Sequence, residues 1–380
     1  MKRLDVVFHD AGGGHRNAAT ALELVIKRQQ RSWDVRLVNF QIVMDSLDVF
    51  RKVTGIRIQE MYNKILRKGW TLGSTEILRV LQTAIRVYHQ ASVKLLTDYW
   101  AESRPDLLIS VIPHFNRALC ESFRAAAPGK PFVTVLTDLA DFPPHFWIER
   151  QEQFLICGSD RAVEQAHALG HDDAHIFRAS GMILHPRFYE TGPLQPPPQQ
   201  RIEMGLQPDL PTGLVLFGGY GSEVMLQITD RLSRSSQPLQ LILLCGRNDS
   251  LATHLREKKW RLPIHVEGFT ARVNEFMRAA DFFIGKPGPG SISESLEMKL
   301  PVIVESNSRT LPQERYNAEW IEEGDLGIVL PNFKEIDKAV EQMLQPENLS
   351  RYRSNVRALK NRAVFEIPSI FEQILEERPC

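Results

Sequence analysis

Short apolar runs recur along the whole of this 380-residue chain, and longer amphipathic segments separate them. Because strands that are buried on both faces read as nearly continuous aliphatic runs, this alternation predicts parallel sheets covered by helices on both sides. The runs fall into two sets, one in each half of the chain: residues 4–8, 35–38, 107–111, 132–136 and 154–157, then 214–217, 239–245, 264–266, 282–285 and 301–304. A chain of this length exceeds the usual size of one hydrophobic core. The expected fold is therefore α/β, with two doubly wound domains.

A proline-rich stretch separates the two sets of runs. It contains Pro193 and the triple Pro196-Pro197-Pro198 and shows no helical or strand period, which is typical of a semi-rigid linker. We predict an N-terminal domain over residues 1–189 with an insertion at about 41–100, a linker over 190–210, a C-terminal domain over 211–357 and a helical tail over 358–380. Ligands of this architecture bind at the carboxyl ends of the strands, so functional residues are expected in the loops that follow strands.

Composition narrows the functional classes. The 46 lysines and arginines balance the 46 aspartates and glutamates, so no global field attracts nucleic acid and none is expected as a partner. Four widely spaced cysteines form no Cys-x-x-Cys pair, which favours the reducing cytoplasm. The loop His171-Asp-Asp-Ala-His175 offers no helical i, i+4 ligand pair and the chain has no Asp-x-Asp, so neither a metal nor another cofactor is expected. Since no stretch approaches about 18 apolar residues, any membrane contact is expected to be peripheral.

One segment of the insertion, residues 50–70, is markedly basic. Its cations are interleaved with aliphatic and aromatic residues, a mixture that suits a surface lying on anionic lipid headgroups. The alternative is a solvated helical face whose other side packs on the domain. We predict a membrane patch that comprises Arg51, Lys52, Arg57, Lys64, Arg67, Lys68 and Trp70.

A glycine loop follows the first apolar run, in the sequence His9-Asp-Ala-Gly-Gly-Gly-His-Arg16. Its three consecutive glycines lack the spacing of a dinucleotide fingerprint, so no nicotinamide cofactor is expected. The loop, with Gly13, Gly14 and Arg16, brings His15 to the start of a helix, where a neutral imidazole can accept a proton from an acceptor hydroxyl. The alternative is a tight turn in which His15 only caps the helix.

A second candidate for acid–base work is Asp138, which follows the run at 132–136. A carboxylate at the carboxyl edge of a strand can orient the imidazole of His15 or act as the base itself. The alternative is an N-cap for the segment that follows.

Three further loops follow strands in the second half of the chain. Gly218 and Gly219 permit a close backbone approach to phosphate, although a plain turn is an alternative. The stretch Lys286-Pro-Gly-Pro-Gly-Ser-Ile-Ser-Glu294 turns directly into a helix, whose free N–H groups and positive dipole end suit phosphate. Glu294 lies one turn into that helix, within reach of a ribose. Gln313 and Glu314 precede another helix, where they either bind sugar hydroxyls or cap the helix.

Taken together, these motifs resemble the GT-B glycosyltransferases that include monogalactosyldiacylglycerol synthase and the processive diacylglycerol glucosyltransferases. The matching blocks keep the family order and span nearly the whole chain: Gly12-Gly-Gly-His-Arg16, Thr137-Asp-Leu139, residues 181–188, Gly218-Gly219, Gly268-Phe-Thr270, residues 286–294 and Pro312-Gln-Glu314. The resemblance implies the GT-B fold, in which two Rossmann-like domains face each other across a cleft. It also implies inverting transfer of a hexose from a UDP-sugar to a lipid acceptor such as diacylglycerol.

The resemblance also implies roles for individual residues. His15 is implied near the reacting centre, as the base or as a diphosphate contact. On the donor side, the implied contacts are Glu294 with the ribose, Gly288, Gly290 and Ser291 with the diphosphate, Phe269 and Thr270 with the uracil, and Gln313 and Glu314 with the hexose. The insertion is implied to approach an anionic membrane surface, which predicts a cytoplasmic protein peripherally bound at the inner membrane face.

Some positions depart from the family pattern. Asp10-Ala11 stands where Ser or Thr is usual, and Ile183 and His185 replace a proline and an arginine. These departures lie at acceptor and hexose positions and leave the sugar and the lipid open. The alternatives are a UDP-sugar transferase acting on a non-lipid acceptor, a UDP-sugar 2-epimerase and a catalytically inactive nucleotide-sugar-binding homologue.

Overall fold

The computed structural model describes residues 1–10, 13–45, 85–190, 197–308 and 310–376. The described chain divides into two compact units. The first contains the residues up to Pro186 together with those from Asn361, and the second runs from Arg187 to Lys360. The predicted membrane patch, residues 51–70, lies outside the described residues and stays a prediction.

The first unit is built on a six-stranded parallel sheet. Its strands are β1 (Lys2–Phe8), β2 (Trp33–Asn39), β3 (Leu107–Ser110), β4 (Phe132–Val135), β5 (Phe154–Cys157) and β6 (Ile176–Arg178). They pair in the order β2-β1-β3-β4-β5-β6. All four residues of β3 are buried, as expected for a strand covered on both faces.

The second unit has its own six-stranded parallel sheet. Its strands are β7 (Thr212–Leu216), β8 (Gln240–Leu244), β9 (Ile264–Glu267), β10 (Phe282–Gly285), β11 (Val302–Glu305) and β12 (Gly327–Leu330). The order is β12-β11-β10-β7-β8-β9. The two sheets confirm the α/β, doubly wound prediction, and the ten predicted apolar runs all form strands.

Helices cover both sheets. In chain order along the described residues they are α1 (Gly14–Arg28), α2 (Phe40–Met44), α3 (His89–Ser103), α4 (Asn116–Ala126), α5 (Asp160–Ala168), α6 (Pro197–Glu203), α7 (Val224–Arg234), α8 (Asp249–Glu257), α9 (Val273–Arg278), α10 (Pro289–Glu297), α11 (Arg315–Glu323), α12 (Ile336–Leu344), α13 (Pro346–Ala358) and α14 (Ala363–Glu376). Short 3₁₀ turns lie at Pro186–Phe188, Pro312–Glu314 and Phe333–Glu335. None of the described helices is both long and apolar enough to cross a bilayer.

The apolar residues of these helices follow the helical period. In α1 the buried side chains include Ala18, Leu22, Val25 and Ile26, which form one stripe along the helix. Helix α14 buries Val364, Ile367, Phe371 and Ile374 and packs against α1. The C-terminal helix therefore belongs to the first unit, although Pro368 lies inside it.

The stretch predicted to be a linker contains a packed helix. Residues 197–203 form α6, which begins at Pro197, a favourable residue for the first turn of a helix. Arg201 of α6 is buried and its guanidinium donates to Asp281 Oδ2 at 2.8 Å. Helix α6 is therefore part of the second unit, and the missing period did not predict it because the helix is only seven residues long.

Candidate functional site

The glycine loop of the first unit ends in a tight turn. Gly13 has φ +83°, a left-handed conformation that favours glycine, and α1 begins at Gly14. Among the described residues, no atom lies within 4 Å of the position that a Cβ on Gly14 would occupy. The turn thus places His15 and Arg16 in the first turn of α1.

The imidazole of His15 is oriented by two oxygen atoms. Its Nδ1 lies 2.7 Å from the carbonyl oxygen of Val111 and 3.0 Å from Oγ1 of Thr137. Because a carbonyl oxygen only accepts, Nδ1 carries the hydrogen in the neutral ring. That tautomer leaves Nε2 with a lone pair, which is the form that a general base requires.

Burial keeps His15 neutral. Desolvation lowers its pKa to about 4, partly opposed by the hydrogen bond to Val111. Two further histidines lie near it. The ring centroid of His9 lies 4.3 Å from that of His15, in an edge-on arrangement. Burial likewise lowers the pKa of His114 to about 4. An imidazolium in this group is disfavoured first by burial and then by the neighbouring rings.

Asp138 lies in the same part of the first unit and is nearly buried. Its Oδ2 accepts a hydrogen bond from the indole Nε1 of Trp147 at 2.8 Å, and the Trp147 ring lies 5.9 Å from that of His15. The Nδ1 of His15 is thus oriented by Val111 and Thr137, whereas Asp138 fixes Trp147, a ring that the sequence analysis did not single out.

Arg16 forms an ion pair within the glycine loop. Its guanidinium donates to both carboxylate oxygens of Asp10, with Nη2 at 2.6 Å from Oδ2. Asn39 Nδ2 donates to the same Oδ2 at 3.0 Å. The aspartate that departs from the family pattern therefore holds Arg16 beside the turn.

In the second unit, the predicted donor residues follow four strands of the sheet. The loops after β11, β10, β7 and β9 carry Gln313, Gly288, Gly218 and Phe269 in turn, and the loop after β8 adds Arg247, which the sequence analysis did not predict. The strands are parallel, so their carboxyl ends lie at one edge of the sheet. Residues that are up to about 95 positions apart in sequence are thus brought to the same edge.

The turn at the start of α10 has the geometry expected of an anion site. Gly288 is the N-cap of the helix and Pro289 begins it. By helix geometry, the N–H groups of Gly290 and Ser291 have no partner inside the helix. Among the described residues, no atom lies within 4 Å of a Cβ built on Gly290. The helix start is therefore open on the side of Gly290.

Glu294 lies in α10, one turn beyond these glycines, and is mostly buried. Desolvation raises its pKa to about 7, partly opposed by the positive charge of Arg187. A carboxyl group close to half protonation at neutral pH can both donate and accept hydrogen bonds. Its position and state suit contact with vicinal sugar hydroxyls.

The raised pKa of Glu294 predicts a pH-dependent cost to stability. The ordinary value is 4.5, so the folded state holds the proton more tightly and stability falls as pH rises from about 4.5 to about 7. Glutamine cannot ionise. At pH 8 we therefore expect Glu294→Gln to have a free energy of unfolding about 2 kcal/mol above that of the wild type, after allowance for partial exposure, and hence a higher unfolding temperature. Near pH 4 the two proteins should unfold at the same temperature.

Thermal unfolding of both proteins across this range measures the effect. Glu323→Gln, which removes an exposed carboxylate from α11, is the matched control. If the unfolding temperatures of the wild type and Glu294→Gln change with pH in parallel, the raised pKa of Glu294 is contradicted.

Glu314 takes part in a buried ion pair, and its predicted contact with the hexose stays a prediction. Its carboxylate is buried and accepts from the ammonium of Lys286 at 2.6 Å. Its neighbour Gln313 differs, because Oε1 of Gln313 is a buried atom without a hydrogen-bond partner in the described structure. An unsatisfied buried oxygen at this edge suits a ligand that donates a hydrogen bond, such as a hydroxyl.

Phe269 stands out at the far end of the same edge. Its side chain is 60% exposed, and the guanidinium carbon of Arg247 lies 4.5 Å from its ring centroid. Thr270 follows it and accepts from the N–H of Arg272 at 3.0 Å. An exposed ring backed by a guanidinium offers a flat surface for a nucleobase.

Sequence reasoning located the loops but did not predict several residues that contact the candidate site residues. His9, His114, Trp147, Lys286 and Arg247 take part in these clusters, and only His9 and Lys286 lay within motifs that the sequence analysis quoted. No three metal-ligating side chains converge in the described ranges.

Comparison with known proteins gives a family match over most of the second unit and α14. Residues 214–374 match the glycosyltransferase family 28 C-terminal domain. The whole chain is 27% identical over 402 residues to the chloroplastic monogalactosyldiacylglycerol synthase of Spinacia oleracea, covering 99% of this chain and 73% of that protein. It is 29% identical over 389 residues to monogalactosyldiacylglycerol synthase 3 of Arabidopsis thaliana, covering 97% and 80%.

Solved structures share the architecture. Acinetobacter baumannii MurG superposes with a TM-score of 0.63 at 12% identity, covering 98% of this chain and 100% of that one. S. aureus MnaA, solved with UDP, superposes with a TM-score of 0.63 at 15% identity, covering 100% and 99%. At such identities the likeness shows the fold alone. The chain thus matches the family 28 C-terminal domain over residues 214–374 and is a glycosyltransferase of the GT-B fold that resembles the monogalactosyldiacylglycerol synthases.

Proposed function

We propose that this protein is an inverting enzyme that transfers a hexose from a UDP-sugar to a lipid hydroxyl such as that of diacylglycerol. Binding of the UDP-sugar donor is supported by the row of loops at the carboxyl edge of the second sheet. The lipid acceptor is supported by the similarity, over nearly the full chain, to proteins named for monogalactosyldiacylglycerol synthesis.

The second unit would bind the donor along this edge. The uracil would lie against Phe269 and Thr270, and the ribose would bind Glu294. The diphosphate would lie beside Gly288, bind the N–H groups of Gly290 and Ser291, and approach the turn at Gly218 and Gly219. The hexose would bind Gln313. This assignment places the negative charge of the donor against the positive end of α10.

The transfer would proceed by one displacement at the anomeric carbon. The acceptor oxygen forms a bond to this carbon while the bond to the diphosphate oxygen breaks, and the electron pair leaves with UDP. Nε2 of His15 would take the proton of the acceptor hydroxyl, since Nδ1 already donates to Val111. A single displacement inverts the configuration. The proposal requires neither a metal nor another cofactor.

Membrane contact belongs to the proposal as well. Because a diacylglycerol acceptor resides in the bilayer, we place the enzyme peripherally at an anionic membrane surface, on the cytoplasmic side. The predicted patch at residues 51–70 would supply the cations.

Mass analysis of the reaction products tests the function. The protein is incubated with UDP-galactose or UDP-glucose and with vesicles that contain diacylglycerol and an anionic lipid. We expect a monohexosyl diacylglycerol of inverted anomeric configuration. Transfer to soluble glycans alone contradicts the lipid acceptor, and conversion of the UDP-sugar to an epimer without an acceptor indicates a 2-epimerase.

A further inference from the structure

Lys286 follows β10, which lies between β7 and β11 in the second sheet. Its ammonium binds Glu314 Oε1 at 2.6 Å, and the two side chains differ in burial: that of Lys286 is 35% exposed and that of Glu314 is 9% exposed. The anion is thus held inside the unit and the cation faces partly outward. This orientation makes the cation the accessible member of the pair.

The Lys286 side chain passes close to both glycine turns. Its Cε lies 3.4 Å from the position of a Cβ built on Gly288 and 3.9 Å from that of a Cβ built on Gly218. Gly218 has φ +72°, a conformation that disfavours other residues. A Cβ at either glycine would lie in van der Waals contact with the lysine. The Lys286 side chain therefore lies directly beside both glycine turns.

The backbone around Lys286 is also fixed. The buried Asn317 of α11 donates from Nδ2 to the carbonyl oxygen of Pro287 at 2.7 Å. The N–H of Gly288 donates to the carbonyl oxygen of Lys286 at 2.8 Å. The turn that contains Lys286 is therefore fixed by one hydrogen bond from α11 and by one hydrogen bond within the turn itself.

We infer that Lys286 binds the diphosphate of the donor, an inference that rests on the proposed function. A helix N-terminus offers about half a positive charge, whereas a diphosphate diester carries two negative charges. A lysine ammonium has three N–H donors, so Lys286 can bind phosphate oxygens while it stays paired with Glu314. Lys286 thus makes the site selective for a nucleoside diphosphate over an uncharged nucleoside, and it stabilises the additional charge on UDP as the sugar leaves.

Calorimetric titration with UDP and with uridine tests this inference. We expect Lys286→Gln to weaken UDP binding about 10- to 100-fold and to leave uridine binding unchanged, because uridine carries no phosphate. Lys286→Arg keeps the positive charge and should recover most of the lost UDP affinity. Lys338→Gln removes the same charge from an exposed position on α12 and should bind both ligands as the wild type does.

The outcomes separate this inference from the proposed function. Failure of the wild type to bind UDP refutes the proposed function itself. Wild-type binding of UDP together with an unchanged ratio of UDP to uridine affinity in Lys286→Gln overturns only the role of Lys286. If Lys286→Gln loses uridine binding as well, Lys286→Arg decides: retained UDP binding supports the inference, and loss of both ligands marks a structural lysine.

Discussion

Replacing His15 with alanine is expected to lower kcat for hexose transfer by about 10²- to 10⁴-fold, the usual contribution of a general base. The imidazole is neutral, and its Nδ1 hydrogen is held by Val111 and Thr137, so the variant loses an aligned proton acceptor. Initial rates at saturating donor give kcat, and calorimetry gives the UDP affinity, which should hardly change. His167→Ala, on the exposed side of α5, is the control and should retain wild-type turnover.

The pH dependence adds a second readout for His15. A base acts when it is unprotonated, and the pKa of His15 is about 4, so the neutral form persists throughout the range from pH 5 to pH 8. Protonation of this residue should therefore cause no loss of kcat/KM in that range. Wild-type turnover in His15→Ala contradicts the role as base, and a large loss of UDP affinity with unchanged kcat assigns His15 to the diphosphate instead.

Replacing Arg201 with methionine is expected to destabilise the second unit by about 2–4 kcal/mol, because two carbonyl oxygens lose a charged donor and Asp281 loses one of its two arginines. The Arg201 side chain is 9% exposed. It donates to the carbonyl oxygens of Ala279 and Pro208 and to the carboxylate of Asp281. Methionine preserves much of the side-chain volume but removes the donor to both carbonyl oxygens. Asp281 keeps the N–H of Thr212 and the guanidinium of Arg353 as donors.

Arg353→Met is the matched control for this prediction. Arg353 donates to the other oxygen of Asp281 at 2.8 Å, but its side chain is 33% exposed, so a loss of about 1 kcal/mol is expected. Urea unfolding followed by hydrogen exchange reads the second unit separately from the first. Equal losses in the two variants contradict the view that α6 is fastened through Arg201.

The sequence predicted every central strand and two of the four edge strands, β2 and β9. Central strands such as β3 and β8 are buried on both faces and read as continuous aliphatic runs. The two strands that no run indicated, β6 and β12, lie at sheet edges. Strand β6 is only three residues long and keeps an exposed arginine, Arg178, so its sequence lacks the apolar signal.

The features of the candidate site that depend on local sequence were predictable. Glycine turns after strands are visible in the sequence because their backbone geometry restricts the residue type. The pairings of Lys286 with Glu314 and of Asp138 with Trp147 depend on which loops the fold brings together. No spacing rule contains that information.

Hydrogen exchange in the presence of UDP tests the central claim most directly, namely that the glycine turns of the second unit bind the donor diphosphate. The account predicts slowed exchange of backbone amides in peptides that cover residues 217–221 and 286–294. UDP binding that leaves both peptides unprotected, or that protects amides of the first unit alone, contradicts it.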